Sequence, residues 1–108
     1  MKILVVFDER GIADYIADTL RKQEYQTLAL YTTADGIEHL KHLWFDLVIL
    51  DRSSAVLAEQ ILGDLIHPEI MLLDAQDTLD GLPSKVKEVE QRLELEWQQA
   101  LEFLQSGY

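Results

Sequence analysis

Four apolar stretches alternate along the chain with segments in which apolar residues recur every three or four positions. Unbroken apolar runs rich in branched residues are typical of strands that are covered on both faces. Such runs predict strands over residues 2–7, 25–33, 46–51 and 69–75. The run over 25–33 is the most polar of the four, so we expect it to lie near an edge of the sheet.

Helical spacing fills the segments between these strands. It predicts helices over 12–20, 37–44 and 56–66, with Leu43 and Trp44 on the buried side of the second helix. Strands that are covered on both faces and joined by helices form parallel sheets through right-handed crossovers. The predicted fold class is therefore α/β, a small doubly wound parallel sheet.

After the fourth strand, a turn-rich connector leads into one long amphipathic helix. The connector contains an Asp-Gly pair and a proline. From Ser84 to about Gln105, apolar residues again fall at spacings of three or four, which predicts a helix of roughly 20 residues, about 30 Å long. We therefore expect a truncated α/β domain over 1–82 and a long helix over 83–108, which packs on the sheet or serves in dimerisation.

Composition and charge narrow the classes of function. The 108 residues suffice for one domain, and nine basic against 20 acidic residues give a net charge of −11. So acidic a surface argues against binding to nucleic acid or to anionic membranes. The absence of cysteine excludes disulfides, thiolate zinc sites and thiol nucleophiles. No apolar run approaches a membrane span and no signal pattern opens the chain, so we expect a cytoplasmic protein.

Acidic residues follow three of the four predicted strands. Asp8 and Glu9 follow the first strand, Asp51 ends the third, and Asp74 ends the fourth. Ligands of parallel α/β sheets bind beyond the carboxyl ends of the strands, and a strand order of 2-1-3-4 brings these acids to one edge. Carboxylate oxygens in such a cluster suit a hard cation such as Mg²⁺.

The segments "KILVVFDE" and "FDLVILD" resemble the receiver domain of two-component response regulators, over residues 1 to about 75. The resemblance implies a flavodoxin-like fold in which two acids after the first strand hold Mg²⁺. It also implies that Asp51 is the phosphoacceptor, that Asp8 is the surviving member of the acidic pair, and that Phe7 replaces the other member. Glu9 matches the acid that often follows the pair.

The chain also departs from the family pattern. Asp74 stands where the family has a Thr or Ser, and its charge would repel a phosphoryl group. The connector leaves no room for the family's fourth helix, fifth strand and Lys; Lys85 is the nearest Lys, but it lies at a helix start. Phosphoryl transfer depends on positioned cations, so these losses predict a degenerate receiver, or pseudo-receiver, that lacks the fifth strand.

Simpler readings of the same residues stay open. Asp51 is either a phosphoacceptor or an acid that caps the next helix or pairs with Arg52. Together with Asp8 and Glu9, it is a candidate ligand for weakly bound Mg²⁺ and for no other cofactor. His39 and His42 are expected on a solvated helix face rather than in a metal site.

The predicted function is a non-enzymatic signalling module that acts by protein–protein interaction, without phosphorylation control. The alternative is a receiver that is phosphorylated on Asp51 with Mg²⁺. Because the long helix exceeds the strands in length and a missing fifth strand leaves an open edge, we also expect a homodimer. The predicted surface for the dimer or partner comprises Val86, Val89, Leu93, Trp97 and Leu104.

Overall fold

A computed structural model describes residues 1–51, 69–73 and 81–106 of the chain. The elements in chain order are β1 (Lys2–Val6), α1 (Arg10–Lys22), β2 (Gln26–Leu30), α2 (Thr33–His42), β3 (Leu47–Asp51), β4 (Glu69–Leu73) and α3 (Leu82–Ser106). Contacts divide the chain into two compact units, Met1–Asp77 and Thr78–Tyr108. The predicted helix over 56–66 lies outside the described residues.

The described strands form one parallel sheet in the order β2-β1-β3-β4. This confirms the predicted fold class and strand order. The central strands β1 and β3 carry the most buried residues, since every residue from Ile3 to Val5 and from Leu47 to Leu50 is 0% exposed. The more polar β2 lies at an edge of this sheet, as its composition predicts.

The two faces of the sheet have different helical covers. The chain moves from β1 to β2 in one direction and then back past β1 to β3, so right-handed crossovers place α1 and α2 on opposite faces. On the α2 face, apolar residues of all four strands form one cluster with the helix. Its members are Leu4, Val6, Leu28, Leu30, Ile37, Leu40, Phe45, Val48, Leu50, Ile70 and Leu72.

Helix α1 buries one face and ends in a hydrogen-bonded turn. Its buried residues Ala13, Ile16, Ala17 and Leu20 recur at helical spacing. At its end, the Glu24 N–H donates to the Arg21 carbonyl (2.9 Å) and the Tyr25 N–H to the Leu20 carbonyl (3.2 Å). This is the Schellman arrangement, which requires a left-handed residue after the helix. Glu24 occupies that position with φ 69°.

Arg21 also covers the outer side of β2. The carbonyl of Leu30 accepts a hydrogen bond from the Phe7 N–H, which follows β1. Because alternate carbonyls of a strand point to opposite sides, that of Thr27 points away from β1. The Arg21 guanidinium donates to this carbonyl through Nε (3.2 Å) and Nη2 (3.0 Å). One arginine thus satisfies an acceptor at the edge of the described sheet.

A glycine allows helix α2 to lie close to the sheet. Thr32 caps its start, since Oγ1 accepts from the Asp35 N–H at 3.2 Å. Gly36 is buried, and a Cβ at this position would lie 3.1 Å from Val6 Cγ2. The helix ends at His42, because the next residue takes an extended conformation. The expectation that Leu43 and Trp44 continue its buried face is therefore wrong; they are 52% and 61% exposed.

Helix α3 confirms the predicted long helix and extends it to 25 residues. It begins at Leu82, two residues before the predicted start. Pro83 lies in the first turn, where the missing N–H has no partner to lose. Among the ranges that the structure describes, no helix is both long and apolar enough to cross a membrane.

Candidate functional site at the carboxyl ends of β1 and β3

The reversal of strand order places a candidate site between β1 and β3. Ligands of open parallel sheets bind at this point, beyond the carboxyl ends of the two strands. The register pairs Val6 with Leu50 and therefore places Phe7 beside Asp51, one residue further on. The parallel sheet thus brings the residue that follows β1 next to the last residue of β3.

Phe7 contributes a buried ring at this point instead of an acid. Its side chain is 3% exposed, and its N–H donates to the Leu30 carbonyl at 3.2 Å. The residue is therefore tied to β2 by its backbone and belongs to the core by its side chain. A carboxylate at the same position would be taken out of water, at a cost of several kcal/mol unless a cation compensates it (roughly 2–7 kcal/mol for a polar group alone). The site accordingly has one acid fewer than the resemblance requires.

The remaining acids lie at the carboxyl ends of β1 and β3. Asp51 ends β3 and is half-buried, whereas Asp8 and Glu9 are exposed. Glu9 is the N-cap residue of α1, and its carbonyl accepts from the Ala13 N–H at 3.0 Å. Acids at this end of a helix are favoured by the helix dipole, which is a structural reason for Glu9 that involves no metal.

Metal binding at these acids stays a prediction. Within residues 1–51, 69–73 and 81–106, the structure groups no three His, Asp or Glu side chains in a way that could hold a metal ion. Asp8, Glu9 and Asp51 are thus candidates whose geometry in the described chain is not that of a ready-made site. Asp74, Arg52, Ser53 and Ser54 lie outside the described residues.

A polar cluster next to the site was missed by the sequence analysis. Tyr31, which follows β2, donates its hydroxyl to Asp14 Oδ1 at 2.6 Å. The guanidinium of Arg10, the first residue of α1, lies 4.8 Å from the centre of the Tyr31 ring. The hydrogen bond to Asp14 is the main cause that raises the pKa of Tyr31 above 10.0. The only sequence signal was the spacing of Arg10 and Asp14, four residues apart on α1.

The two histidines of α2 make local contacts. Nδ1 of His39 lies 2.8 Å from the Asp35 carbonyl, and Nε2 of His42 lies 3.2 Å from Glu38 Oε1. Both partners are one helical turn away, and His42 and Glu38 are largely exposed. His42 lies on the predicted solvated face, whereas His39 is half-buried.

A groove lies at the opposite end of the sheet from the candidate site. It is an open groove of about 230 Å³, whose lining includes Lys2 at the start of β1, Leu28, and the exposed side chains of Leu43 and Trp44. The start of β1 lies at the amino ends of the parallel strands, away from Asp8 and Asp51. The groove therefore does not contain the predicted site residues.

The residues of the predicted partner surface on α3 differ in burial. Val86 and Val89 are 0% and 8% exposed, and Leu93 is half-buried. Trp97 and Leu104 are 66% and 70% exposed. Only the second half of the helix therefore offers an accessible apolar surface, and the role of this surface stays a prediction.

Comparison with known proteins supports the fold. No family model matches the chain. The regulatory protein VanR of Enterococcus faecium is 30% identical over 86 residues, which cover 75% of this chain and 37% of VanR. The chain thus spans well under half the length of this relative.

Two solved structures resemble the chain more extensively. The response regulator TrrA of Thermotoga maritima, in complex with Mg²⁺–BeF, has a TM-score of 0.74 and 24% identity; the match covers 82% of this chain and 97% of TrrA. TrrA is also known in complex with the histidine kinase ThkA. The receiver domain of the hybrid histidine kinase CckA has a TM-score of 0.67 and 22% identity, over 82% and 98% of the two chains. With its strand order and these neighbours, the chain has the fold of the response-regulator receiver domains.

Proposed function

We propose that this chain is a receiver-like signalling module that acts through protein–protein contacts and is not controlled by phosphorylation. The observation that carries the proposal is the burial of Phe7, at 3% exposure, beside Asp51 at the point where strand order reverses. By resemblance, an acid stands there in receivers and helps to hold Mg²⁺. Without it, a phosphoryl group on Asp51 loses part of the positive charge that stabilises its transfer.

The fold supports a protein partner. Receiver-fold neighbours include TrrA, which is known in a complex with a histidine kinase. The net charge of −11 favours partners with basic surfaces. If phosphorylation does not control the chain, its contacts with a protein partner depend only on the surface of the folded chain. The division of roles between residues 1–82 and 83–108 remains a prediction within this proposal. The predicted homodimer is the alternative to another protein as the partner of the long helix.

A second candidate function is a phosphoacceptor receiver that uses Asp51 with Mg²⁺. One observation favours it: Asp51 ends β3 half-buried at the carboxyl end of the sheet, the position that the resemblance gives to the acceptor. Asp8 directly follows Phe7 and is exposed, so one acid remains on the β1 side.

Incubation with acetyl phosphate and Mg²⁺, followed by intact-mass measurement, separates the two functions. We expect no phosphoryl increment in a protein that circular dichroism shows to be folded. A receiver that accepts phosphate from acetyl phosphate serves as the positive control for the reagent. One added phosphoryl group that disappears in Asp51→Asn would contradict the proposal and establish the second candidate.

A further inference from the structure

The second half of α3 continues an apolar stripe that is buried in the first half. Leu93, Trp97, Ala100 and Leu104 follow one another at spacings of four, three and four, so they share one face of the helix. We call these four residues the distal stripe. It is about 16 Å long at 1.5 Å per residue. Trp97 and Leu104, its two large exposed members, are 66% and 70% exposed.

The charged residues within the distal stripe's own span are all acidic, and the basic Arg92 stands just before it. At about 100° per residue, Glu94 borders one side of the stripe and Glu96 borders the other. Residues 93–106 contain three glutamates and no Lys or Arg. Leu101, which is 38% exposed, widens the apolar surface on the Glu94 side. The surface is therefore an apolar strip between two acidic margins.

These margins argue against a second copy of the chain as the occupant. In either orientation, pairing two distal stripes brings the glutamates of both copies together, and residues 93–106 supply no Lys or Arg to offset them. Like charges across a helix pair are destabilising, and a net charge of −11 on each copy adds long-range repulsion.

We propose that the distal stripe binds a basic amphipathic helix of another protein. Such a helix presents apolar residues at the same spacing to Trp97 and Leu104, and Lys or Arg on both sides to Glu94 and Glu96. This inference rests on the proposed function and names the chemistry of its partner. A strip of this length buries less than a standard interface, so the complex is transient, with a Kd on the order of 1–100 µM.

The test uses the full chain and three designed peptides of equal length. The first is an amphipathic helix with a leucine stripe flanked by lysines, the second replaces the lysines by glutamates, and the third scrambles the first. Trp44→Phe leaves Trp97 as the single tryptophan, whose fluorescence reports binding at the stripe. We expect the lysine peptide to bind and the scrambled peptide, of identical charge, to bind at least about tenfold more weakly. The glutamate peptide should show no binding.

Matched variants locate the binding surface by calorimetry. Trp97→Ser should weaken binding of the lysine peptide about tenfold or more, because exposed aromatic anchors dominate such contacts. Trp44→Ser changes the other tryptophan, which is 61% exposed on the first unit, and should leave binding unchanged. The affinity of the parent chain should fall as salt rises.

Three results would overturn the inference. They are equal binding of the lysine and scrambled peptides, binding that is insensitive to Trp97→Ser, and a dimer in sedimentation that Trp97→Ser dissociates. The last result would assign the stripe to a second copy. None of them changes the mass measurement at Asp51, so failure of this inference is distinguishable from failure of the proposed function.

Discussion

Phe7 and Phe103 are the same side chain in opposite surroundings. Phe7 follows the central strand β1 and is 3% exposed, whereas Phe103 lies near the end of α3 and is 74% exposed. The same contrast separates Val86, which is 0% exposed, from Leu104, which is 70% exposed. Burial therefore separates the apolar residues that contribute to the core from those that leave an apolar surface accessible.

The largest expected difference is between Phe7→Asp and Phe103→Asp, which both replace an apolar ring by a carboxylate. Phe7→Asp removes a buried ring and buries a carboxylate, so it should lower the free energy of unfolding by about 3–5 kcal/mol. Phe103→Asp should change it by less than about 0.5 kcal/mol, because the ring is already in water. Urea unfolding followed by circular dichroism measures both, and equal losses would contradict the comparison.

A milder variant keeps this comparison testable if Phe7→Asp does not fold. Phe7→Leu should cost on the order of 1 kcal/mol, since it shortens a core side chain without adding charge. If Phe7→Asp does fold, Mg²⁺ should raise its melting temperature more than that of the parent chain. This follows if the new carboxylate binds the cation together with Asp8 and Asp51, because a ligand stabilises the state that binds it.

Two helical glycines, one buried and one exposed, allow the effect of burial to be compared for a single added methyl group. In α2, a Cβ at Gly36 would lie 3.1 Å from Val6 Cγ2, whereas a Cβ at Gly11 in α1 would meet nothing within 4 Å. Gly11→Ala should stabilise the fold by about 0.5–1 kcal/mol through helix propensity. Gly36→Ala should destabilise it by about 1 kcal/mol, because overpacking outweighs the same gain.

A double variant tests the stated cause of the Gly36 effect. If the close contact with Val6 is responsible, Val6→Ala should remove most of the penalty of Gly36→Ala, and the two changes should not be additive. Additive losses in thermal unfolding would point to another cause.

Glu24 shows that an exposed residue can still be constrained by its backbone. It has φ 69° in the turn that ends α1, a conformation that costs a non-glycine residue energy. Glu24→Gly should therefore raise the free energy of unfolding by about 0.5–1 kcal/mol. Glu24→Ala removes the same carboxylate but keeps the strain, so it should give no such gain; an equal gain would assign the effect to charge.

The smallest effect concerns the accessible contact between Tyr31 and Asp14. The hydrogen bond to Asp14 raises the pKa of Tyr31 in the folded chain. The stability that this hydrogen bond contributes is therefore fully present below the pKa of Tyr31 in the unfolded chain, about 10. It is lost as pH rises through the higher pKa of Tyr31 in the folded chain. Ultraviolet titration should show one phenol that ionises at lower pH in Asp14→Asn than in the parent. Tyr31→Phe identifies its signal, and coincident curves would contradict the assignment.

The sequence predicted those parts of the fold that depend on local periodicity. The strands β1 and β3 were predictable because unbroken apolar runs need cover on both faces, and strand order followed from the acids and the resemblance. The burial of Trp44 was predicted wrongly, because helical spacing does not reveal that Leu43 leaves the helix. The partnership of Tyr31 with Arg10 and Asp14 was missed, because it joins two elements that become neighbours only in the folded sheet.

The sequence predicted which residues lie at the candidate site but not how exposed each of its acids is. The resemblance placed Phe7 and Asp51 together, and the register agrees with that. The burial of Phe7 agrees with its place in the apolar run over 2–7, whereas the half-burial of Asp51 and the exposure of Asp8 depend on the folded sheet. The differing burial of Val86 and Leu104 was also beyond the sequence, because both occupy the same face of one helix.

Arg21 has a consequence for the behaviour of the chain in a crowded solution. An uncovered strand edge is a template on which another chain can add a strand, and such additions lead to aggregation. By donating to the Thr27 carbonyl, the Arg21 guanidinium occupies an acceptor that an incoming strand would need. The Arg21 side chain on α1 thus opposes the addition of another strand at this edge of the described sheet. An incoming strand would have to displace this side chain before it could pair with β2 at Thr27.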